Sequence, residues 1–222
     1  MTKRFLVLLD IDGTLLLSHD ELYVEANAAA LQEVYGVTDV EHPDDPGDTA
    51  LHYTRIVLEA ASLDDATIDA GLDRWCAAIS RRYVELIAAA DTSTWTTAPR
   101  AAETLAAVPH KALLTGNPEP IARARMERLG FSRFFPPEQG AFGCERETRV
   151  ALIELALRRA GGWPAADAVA VGDTPRDIDS AHAAGLRCIA VTTGAYNRTQ
   201  LRDADIVIAA LSELPRVLDS LV

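Results

Sequence analysis

An uninterrupted apolar run near the N-terminus constrains the fold more than any other feature of the chain. After Arg4, residues 5–9 read Phe-Leu-Val-Leu-Leu, and the run ends at Asp10. A run without polar alternation predicts a strand covered on both faces, as in a parallel sheet. Ligands of open α/β folds gather at the carboxyl ends of such strands, so Asp10 and Asp12 stand where chemistry is expected. The alternative is a loop-capping Asp followed by an ordinary Asp-Gly turn at Gly13.

Length, charge and cysteine usage narrow the class of protein. The chain has 222 residues, which suits one large domain or a core with an insertion. Its formal net charge is −12 and its Lys and Arg residues form no long run, which argues against nucleic-acid binding. The three widely spaced cysteines, Cys76, Cys144 and Cys188, form no metal-type pair. We expect packing thiols in a cytoplasmic, reducing environment, and no signal peptide or membrane-spanning segment is visible.

Two parts of the chain carry different secondary-structure patterns. Between about residues 20 and 92 the patterns are helical, with a loop at 42–47. One predicted helix carries Val24, Ala28, Leu31 and Tyr35 on one face and ends at Gly36, and a longer one carries an apolar stripe of Leu72, Cys76, Ile79, Tyr83 and Leu86.

From about residue 98, predicted helices alternate with strands at 111–115, 168–171, 188–191 and 206–208. Such alternation implies right-handed βαβ units and a parallel sheet. The expected fold is α/β, a Rossmann-like parallel-sheet core with helices on both faces and an inserted all-helical domain. We expect the core to comprise residues 1–16 and 93–222, and the insertion residues 17–92.

Acidic residues follow two of the predicted strands, at Asp10 and Asp12 and again at Asp173 and Asp177. The carboxyl ends of parallel strands lie along one edge, so these side chains should converge. Bringing two like charges within about 4 Å costs roughly 4 kcal/mol at an effective dielectric constant near 20. Oxygen ligands of this kind suit magnesium, which relieves that cost. A third strand ends in Thr115-Gly116-Asn117, whose backbone amides at a helix start suit phosphate oxygens.

At these residues the chain resembles the haloacid dehalogenase-like (HAD) hydrolases, chiefly their phosphatases. Residues 10–15 match the pattern D-x-D-G-T-L, residues 114–117 match the second motif of the family, and residues 171–177 contain G-D-x-x-x-D. The family usually has a Lys between the second and fourth motifs, and this chain has none there. Arg149 matches that position best, with Arg146 as second candidate. The alternative places both arginines on a solvated helix start.

The resemblance implies a mechanism and a set of site residues. Asp10 would attack phosphorus, and Asp12 would protonate the leaving oxygen and then activate water. Mg²⁺ would be held by Asp10, the main-chain carbonyl of Asp12 and Asp173, with Asp177 in support. The phosphate-binding residues would be Thr115, Gly116, Asn117 and Arg149.

The resemblance also ranks the possible functions. A magnesium-dependent phosphatase acting on a small phosphorylated metabolite comes first, with phosphoglycolate as a candidate substrate and a monomer or homodimer as the expected state. The alternatives are a β-phosphoglucomutase-like phosphoryl transferase, which usually has two adjacent acidic residues where this chain has Asp173-Thr174, and a non-catalytic regulatory member. The helical insertion resembles the cap that covers the site in one branch of the family. In it, Arg55 more often contacts solvent than substrate, and Trp75 is a packing residue.

Overall fold

A six-stranded parallel sheet forms the centre of the computed structural model, which describes residues 5–41 and 47–221. The strand order is β3-β2-β1-β4-β5-β6, with every neighbouring pair parallel. This confirms the predicted α/β parallel-sheet class. The strands are β1 (Leu6–Leu9), β2 (Lys111–Thr115), β3 (Ala141–Phe142), β4 (Ala168–Gly172), β5 (Arg187–Val191) and β6 (Ile206–Ile208). Sequence analysis did not predict the two-residue β3, which is too short to produce a pattern.

Alternate residues of β1 enter two different apolar clusters, because successive side chains of a strand point to opposite faces. Val7 and Leu9 belong to one cluster, and Leu6 and Leu8 belong to the other. Helices cover both faces of the sheet, as predicted. The first cluster receives α4 (Ala101–Ala107), α5 (Glu119–Arg128) and α8 (Leu214–Ser220), and the second receives α6 (Arg149–Arg159) and α7 (Pro175–Ala183).

Three helices follow β1 and share a third apolar cluster. They are α1 (Glu21–Tyr35), α2 (Ala50–Ala60) and α3 (Asp65–Ala89). The predicted stripe of α3 is confirmed, since its members are buried or partly buried in this cluster. We refer to α1–α3 as the cap helices, and the domain boundaries at residues 17 and 92 remain our proposal.

The predicted buried face of α1 is wrong in part. Gly36 ends the helix in a left-handed conformation as expected, with a φ of 68°. However, the buried residues include Ala26 and Ala30, whereas Ala28 is exposed and Val24 is 46% exposed and lines a cavity. The reason is that small alanine side chains form the contact with α3. Most of the predicted loop at 42–47 lies outside the described residues.

A disulfide between Cys76 and Cys144 joins α3 to the loop after β3. Our interpretation of all three cysteines as packing thiols is therefore wrong for this pair, and only Cys188, which is buried, has a free thiol. The two bonded residues are 68 positions apart in the chain, while their Cα atoms lie 6.1 Å apart. Their spacing in the sequence could not reveal this, because it depends on where α3 crosses the core.

Candidate active site

The strand ends bring three buried aspartates together, as predicted for Asp10, Asp173 and Asp177, whereas the prediction that the Asp12 side chain joins them is wrong. Asp10 follows β1, Asp173 follows β4, and Asp177 lies in the first turn of α7. Each offers a carboxylate oxygen, and these oxygens all lie within 4.8 Å of one another. The Asp12 carboxylate is outside this group. Its side chain is 51% exposed and lines a cavity of about 710 Å³ that Asp10 and Asp173 also line.

The three carboxylates are poorly compensated by the protein itself. Burial raises the pKa of Asp10 well above its usual range, although Arg149 opposes this shift. Burial, followed by the neighbouring Asp177, raises the pKa of Asp173 to about 7. Both shifts mean that negative charge is costly here without a further cation.

Two glycines allow the backbone to approach Asp173 closely. Gly13 has a φ of 70°, and a Cβ at either Gly13 or Gly194 would clash with the Asp173 carboxylate. The Thr193 hydroxyl donates a hydrogen bond of 2.6 Å to the Gly13 carbonyl, which ties the loop after β5 to the loop after β1. Thr193 and Gly194 line the cavity, and sequence analysis missed both because they belong to no recognised motif.

Arg149, not Arg146, enters the site. Arg149 is the first residue of α6, is 4% exposed and pairs with the Asp177 carboxylate. Its Nε is buried without a hydrogen-bond partner among the described residues, and the side chain lines the cavity. Arg146 is exposed and donates to the Glu145 carbonyl. The guanidinium of Arg149 is therefore placed to receive an anion, while that of Arg146 is not.

Asp177 has both carboxylate oxygens engaged. One accepts from Arg149, and the other accepts from the Thr174 hydroxyl at 2.7 Å and the Thr174 amide at 3.1 Å. These last contacts form a capping box at the start of α7. The arrangement fixes Asp177 beside Asp10 and orients Arg149.

At the predicted phosphate-binding segment after β2, several polar groups already make hydrogen bonds within the protein. Asn117 donates through Nδ2 to Asp12 Oδ2 at 2.6 Å and to the Thr115 hydroxyl at 2.9 Å. The Asn117 amide also donates to that hydroxyl, at 3.3 Å. At Gly116, a Cβ would clash with the Asp48 carbonyl, so only glycine lets the segment before α2 approach β2 this closely. All three residues line the cavity, but in this structure the Asn117 side chain orients Asp12.

The comparison with protein families settles the relationship that this geometry suggests. Residues 6–185 match the model of the haloacid dehalogenase-like hydrolases. The chain belongs to this family. It is 25% identical over 201 residues to phosphoglycolate phosphatase of Pseudomonas syringae pv. syringae (strain B728a), an alignment that covers 86% of this chain and 70% of the relative.

Solved structures of this HAD-like fold superpose on nearly the whole chain. CbbY from Rhodobacter sphaeroides in complex with phosphate has a TM-score of 0.66 and 22% identity, with 96% of each chain covered. A predicted phosphatase from Clostridium acetobutylicum has a TM-score of 0.67 and 18% identity, covering 97% and 98% of the two chains. At these identities the likeness concerns the fold. Family membership and the phosphatase relatives together make this HAD-like chain a phosphoric monoester hydrolase.

Sequence analysis missed the arginine that contacts Asp12. Arg125 in α5 is 2% exposed and lines the cavity of this HAD-like enzyme. The only signal in the sequence was its spacing, because Arg125 follows Ala122 by three residues and Ile121 by four. Residues at these spacings share one face of a helix, so the arginine was placed on the apolar, buried face. Arg55, for which solvent contact was the leading interpretation, is instead mostly covered and pairs with two carboxylates, while Trp75 is a buried packing residue, as expected.

Proposed function

We propose that this HAD-like hydrolase is a magnesium-dependent phosphatase that acts on a small phosphomonoester through an aspartyl-phosphate on Asp10. One observation carries the proposal. Asp10 lies at a cavity with Arg149 beside it, and Asp12 presents a half-exposed carboxylate to the same cavity. A nucleophile, an anion-binding group and a separate proton donor are the three parts that phosphoryl transfer requires.

Magnesium fits the donor set of the buried triad. The protein offers three carboxylates within 4.8 Å of one another and places the guanidinium of Arg149 beside them. Burial raises the pKa values of Asp10 and Asp173 even with Arg149 present. Hard oxygen donors of this kind match Mg²⁺. Asp10, Asp173 and the main-chain carbonyl of Asp12 would hold the ion, with Asp177 in support. When bound, it supplies positive charge that offsets the carboxylates and the phosphoryl oxygens.

The protein residues divide the reaction into two steps. In the first, an Asp10 oxygen forms a bond to phosphorus, the bond to the leaving oxygen breaks, and Asp12 gives that oxygen a proton. In the second, Asp12 takes a proton from water as the water attacks phosphorus, which releases inorganic phosphate and restores the Asp10 carboxylate. Arg149 binds the non-bridging oxygens, where negative charge is concentrated during transfer.

Phosphoglycolate is the first substrate to test, because the relatives in Pseudomonas are phosphoglycolate phosphatases. The β-phosphoglucomutase-like alternative keeps support from a fold neighbour, the putative β-phosphoglucomutase of Bacteroides vulgatus, at 18% identity. Hydrolysis is favoured because Thr174 follows Asp173, so the motif has no adjacent acidic pair.

The expected location and partners remain part of this proposal. Among the described helices, none has the length and apolarity that a membrane crossing requires. We propose a cytoplasmic enzyme, monomeric or homodimeric, whose partner is a small phosphorylated metabolite rather than a nucleic acid. The wide spacing of the cysteines led us to expect a reducing, cytoplasmic environment, and the Cys76–Cys144 disulfide removes that support. Fractionation of cells is therefore the test of location.

The test is phosphate release from a panel of phosphomonoesters, including phosphoglycolate, with Mg²⁺ and with a chelator. We expect release from at least one small substrate, dependent on Mg²⁺ and lost in Asp10→Asn. Activity that survives in excess chelator, or in a folded Asp10→Asn variant, would contradict the proposal. Movement of phosphate between positions of a sugar phosphate, without release of inorganic phosphate, would favour the transferase.

A further inference from the structure

Arg125 is a buried cation that contacts the proposed proton donor directly. Its Nη1 donates to Asp12 Oδ1 at 3.0 Å and to Asp12 Oδ2 at 2.9 Å. The guanidinium is almost fully buried, while the Asp12 side chain remains half exposed to the cavity. Both contacts come from the one nitrogen Nη1, so they hold the two carboxylate oxygens at nearly equal distances and fix the position of the Asp12 carboxylate.

The other side of the same guanidinium contacts the cap helices. Nε and Nη2 of Arg125 reach Asp20 Oδ2 at 2.9 and 2.8 Å, and Nε also donates to the Tyr83 hydroxyl at 3.2 Å. The Tyr83 hydroxyl donates to the same Asp20 oxygen at 2.6 Å. Asp20 caps the start of α1 by accepting from the Leu22 amide at 3.1 Å, and Tyr83 lies in α3. One side chain therefore joins the proton donor to two cap helices.

The two carboxylates that Arg125 contacts, Asp12 and Asp20, differ in their access to the cavity. Asp20 is enclosed, with a side chain only 4% exposed, and its carboxylate is committed to Arg125, Tyr83 and the start of α1. Asp12 has the same cationic partner and an amide donor in Asn117, but its other side faces the cavity. The contacts thus hold Asp12 from behind and leave its cavity side open to a leaving group.

We propose that Arg125 is a positioning residue that aims Asp12 at the leaving group and makes this aim depend on the packing of α1 and α3. The proposal rests on the proposed role of Asp12 as proton donor. Loss of Arg125 then weakens proton delivery. The loss is largest for leaving groups that need a proton and small for those that leave as stable anions.

The test compares 4-nitrophenyl phosphate with phenyl phosphate, two substrates of similar shape whose leaving groups differ in basicity. In Arg125→Met we expect kcat/KM to fall about tenfold more for phenyl phosphate than for 4-nitrophenyl phosphate. Arg125→Lys, which keeps the charge but has no separate nitrogens to contact Asp12 and Asp20 together, should give an intermediate ratio of about threefold. In an Asp12→Asn background, Arg125→Met should not change the ratio further, because Arg125 acts through Asp12.

Arg128→Met is the matched control. Arg128 lies in the same helix and also joins it to α3, by donating to the carbonyls of Ile87 and Ala88, but it does not contact Asp12. Any loss in this variant should fall equally on both substrates. Thermal melts identify variants that do not fold. If Arg125→Met does not fold, the ratio measured for Arg125→Lys decides the test.

Equal losses on both substrates in Arg125→Met, or a wild-type ratio in Arg125→Lys, would overturn the inference and leave Arg125 with a structural role only. The Asp12→Asn variant separates this outcome from failure of the proposed function. If Asp12→Asn discriminates between the two substrates and the Arg125 variants do not, only the inference about Arg125 fails. If Asp12→Asn itself does not discriminate, the proposed proton donor is wrong.

Discussion

The carboxyl edge of the sheet and the seam between cap helices and core are built in different ways. At the edge, Asp10 and Asp173 stand directly after their strands, so the hydrogen bonds of the sheet fix their relative positions. We define the seam by its cross-links, which are Arg125–Asp20, Arg55–Glu147, Arg128–Ile87 and Cys76–Cys144. Each link joins elements far apart in the sequence through long side chains or a disulfide. We expect the edge to supply the reacting groups, and the seam to position the cap helices and, through Arg125, to orient Asp12.

The largest expected effect is at the edge, in Asp10→Asn. We expect activity to fall by about a thousandfold or more, because the amide is a poor nucleophile. Stability should not fall, because burial disfavours the ionised carboxylate that is removed. Steady-state kinetics and thermal melts of the same preparation check both points. A loss of activity matched by a loss of folding would mean that Asp10 has a structural role, which would contradict our assignment of the reacting groups to the edge.

Arg149→Ala should have the next largest effect on activity, a loss of about a hundredfold, together with weaker inhibition by vanadate. Arg149→Lys should recover part of the loss, since it restores the charge without the planar shape. Arg146→Ala is the matched control and should be near wild type, because its side chain is exposed. If Arg146→Ala loses activity and Arg149→Ala keeps wild-type activity, our assignment of Arg149 to the position where the family usually has a Lys would be wrong.

At the seam, replacing Cys76 and Cys144 by Ser should lower stability and leave the chemistry intact. A cross-link between residues 68 positions apart stabilises by about 4 kcal/mol if its main effect is on the entropy of the unfolded chain. Denaturant titration of the double variant measures this change, and Cys188→Ser controls for loss of a buried thiol outside the seam. A hundredfold loss of kcat in a folded double variant would show that the disulfide, and not only Arg125, affects the chemistry.

The smallest expected effect is the pH dependence of stabilisation by Mg²⁺. The pKa of Asp173 is raised from 3.8 to about 7, so as pH rises between these values the unfolded chain loses its proton first. The unfolded state then binds fewer protons, and the metal-free protein loses stability across this window. Mg²⁺ requires the ionised carboxylate, so its effect on the melting temperature should be larger near about pH 8 than near about pH 5.5. An equal effect at both values would indicate that Asp173 is already ionised at the lower pH.

The difference between edge and seam also explains what the sequence could predict. Apolar runs ending in acidic or small polar residues identified β1, β2 and β4, and the order of motifs placed Asp10, Asp173 and Asp177 together. Arg149 was identifiable because it precedes the apolar face of α6. These signals are local, because each lies within a few residues of a strand or helix end.

The seam gave no comparable signal. Helix α5 contains Arg123, Arg125 and Arg128, and the spacing of Arg125 from Ile121 and Ala122 is only a weak signal in a helix with so little apolar pattern. Arg125 is buried only because Asp12 and Asp20 approach from other elements, 113 and 105 positions away. The Cys76–Cys144 pair likewise depends on where α3 crosses the loop after β3. Such pairings are determined by tertiary packing and leave no mark on local periodicity.

The central claim is that Asp10 carries the phosphoryl group during turnover. Acid quenching of wild-type enzyme during its first turnover with Mg²⁺ and a substrate from the panel, followed by mass spectrometry of the N-terminal peptide, tests it directly. We expect one phosphoryl group on Asp10, absent in Asp10→Asn. With 4-nitrophenyl phosphate it should be more abundant in Asp12→Asn, because this leaving group scarcely needs a proton whereas hydrolysis of the intermediate still needs Asp12. Rapid release of inorganic phosphate with Asp10 unmodified at every quench time, or a phosphoryl group on another residue, would contradict the account.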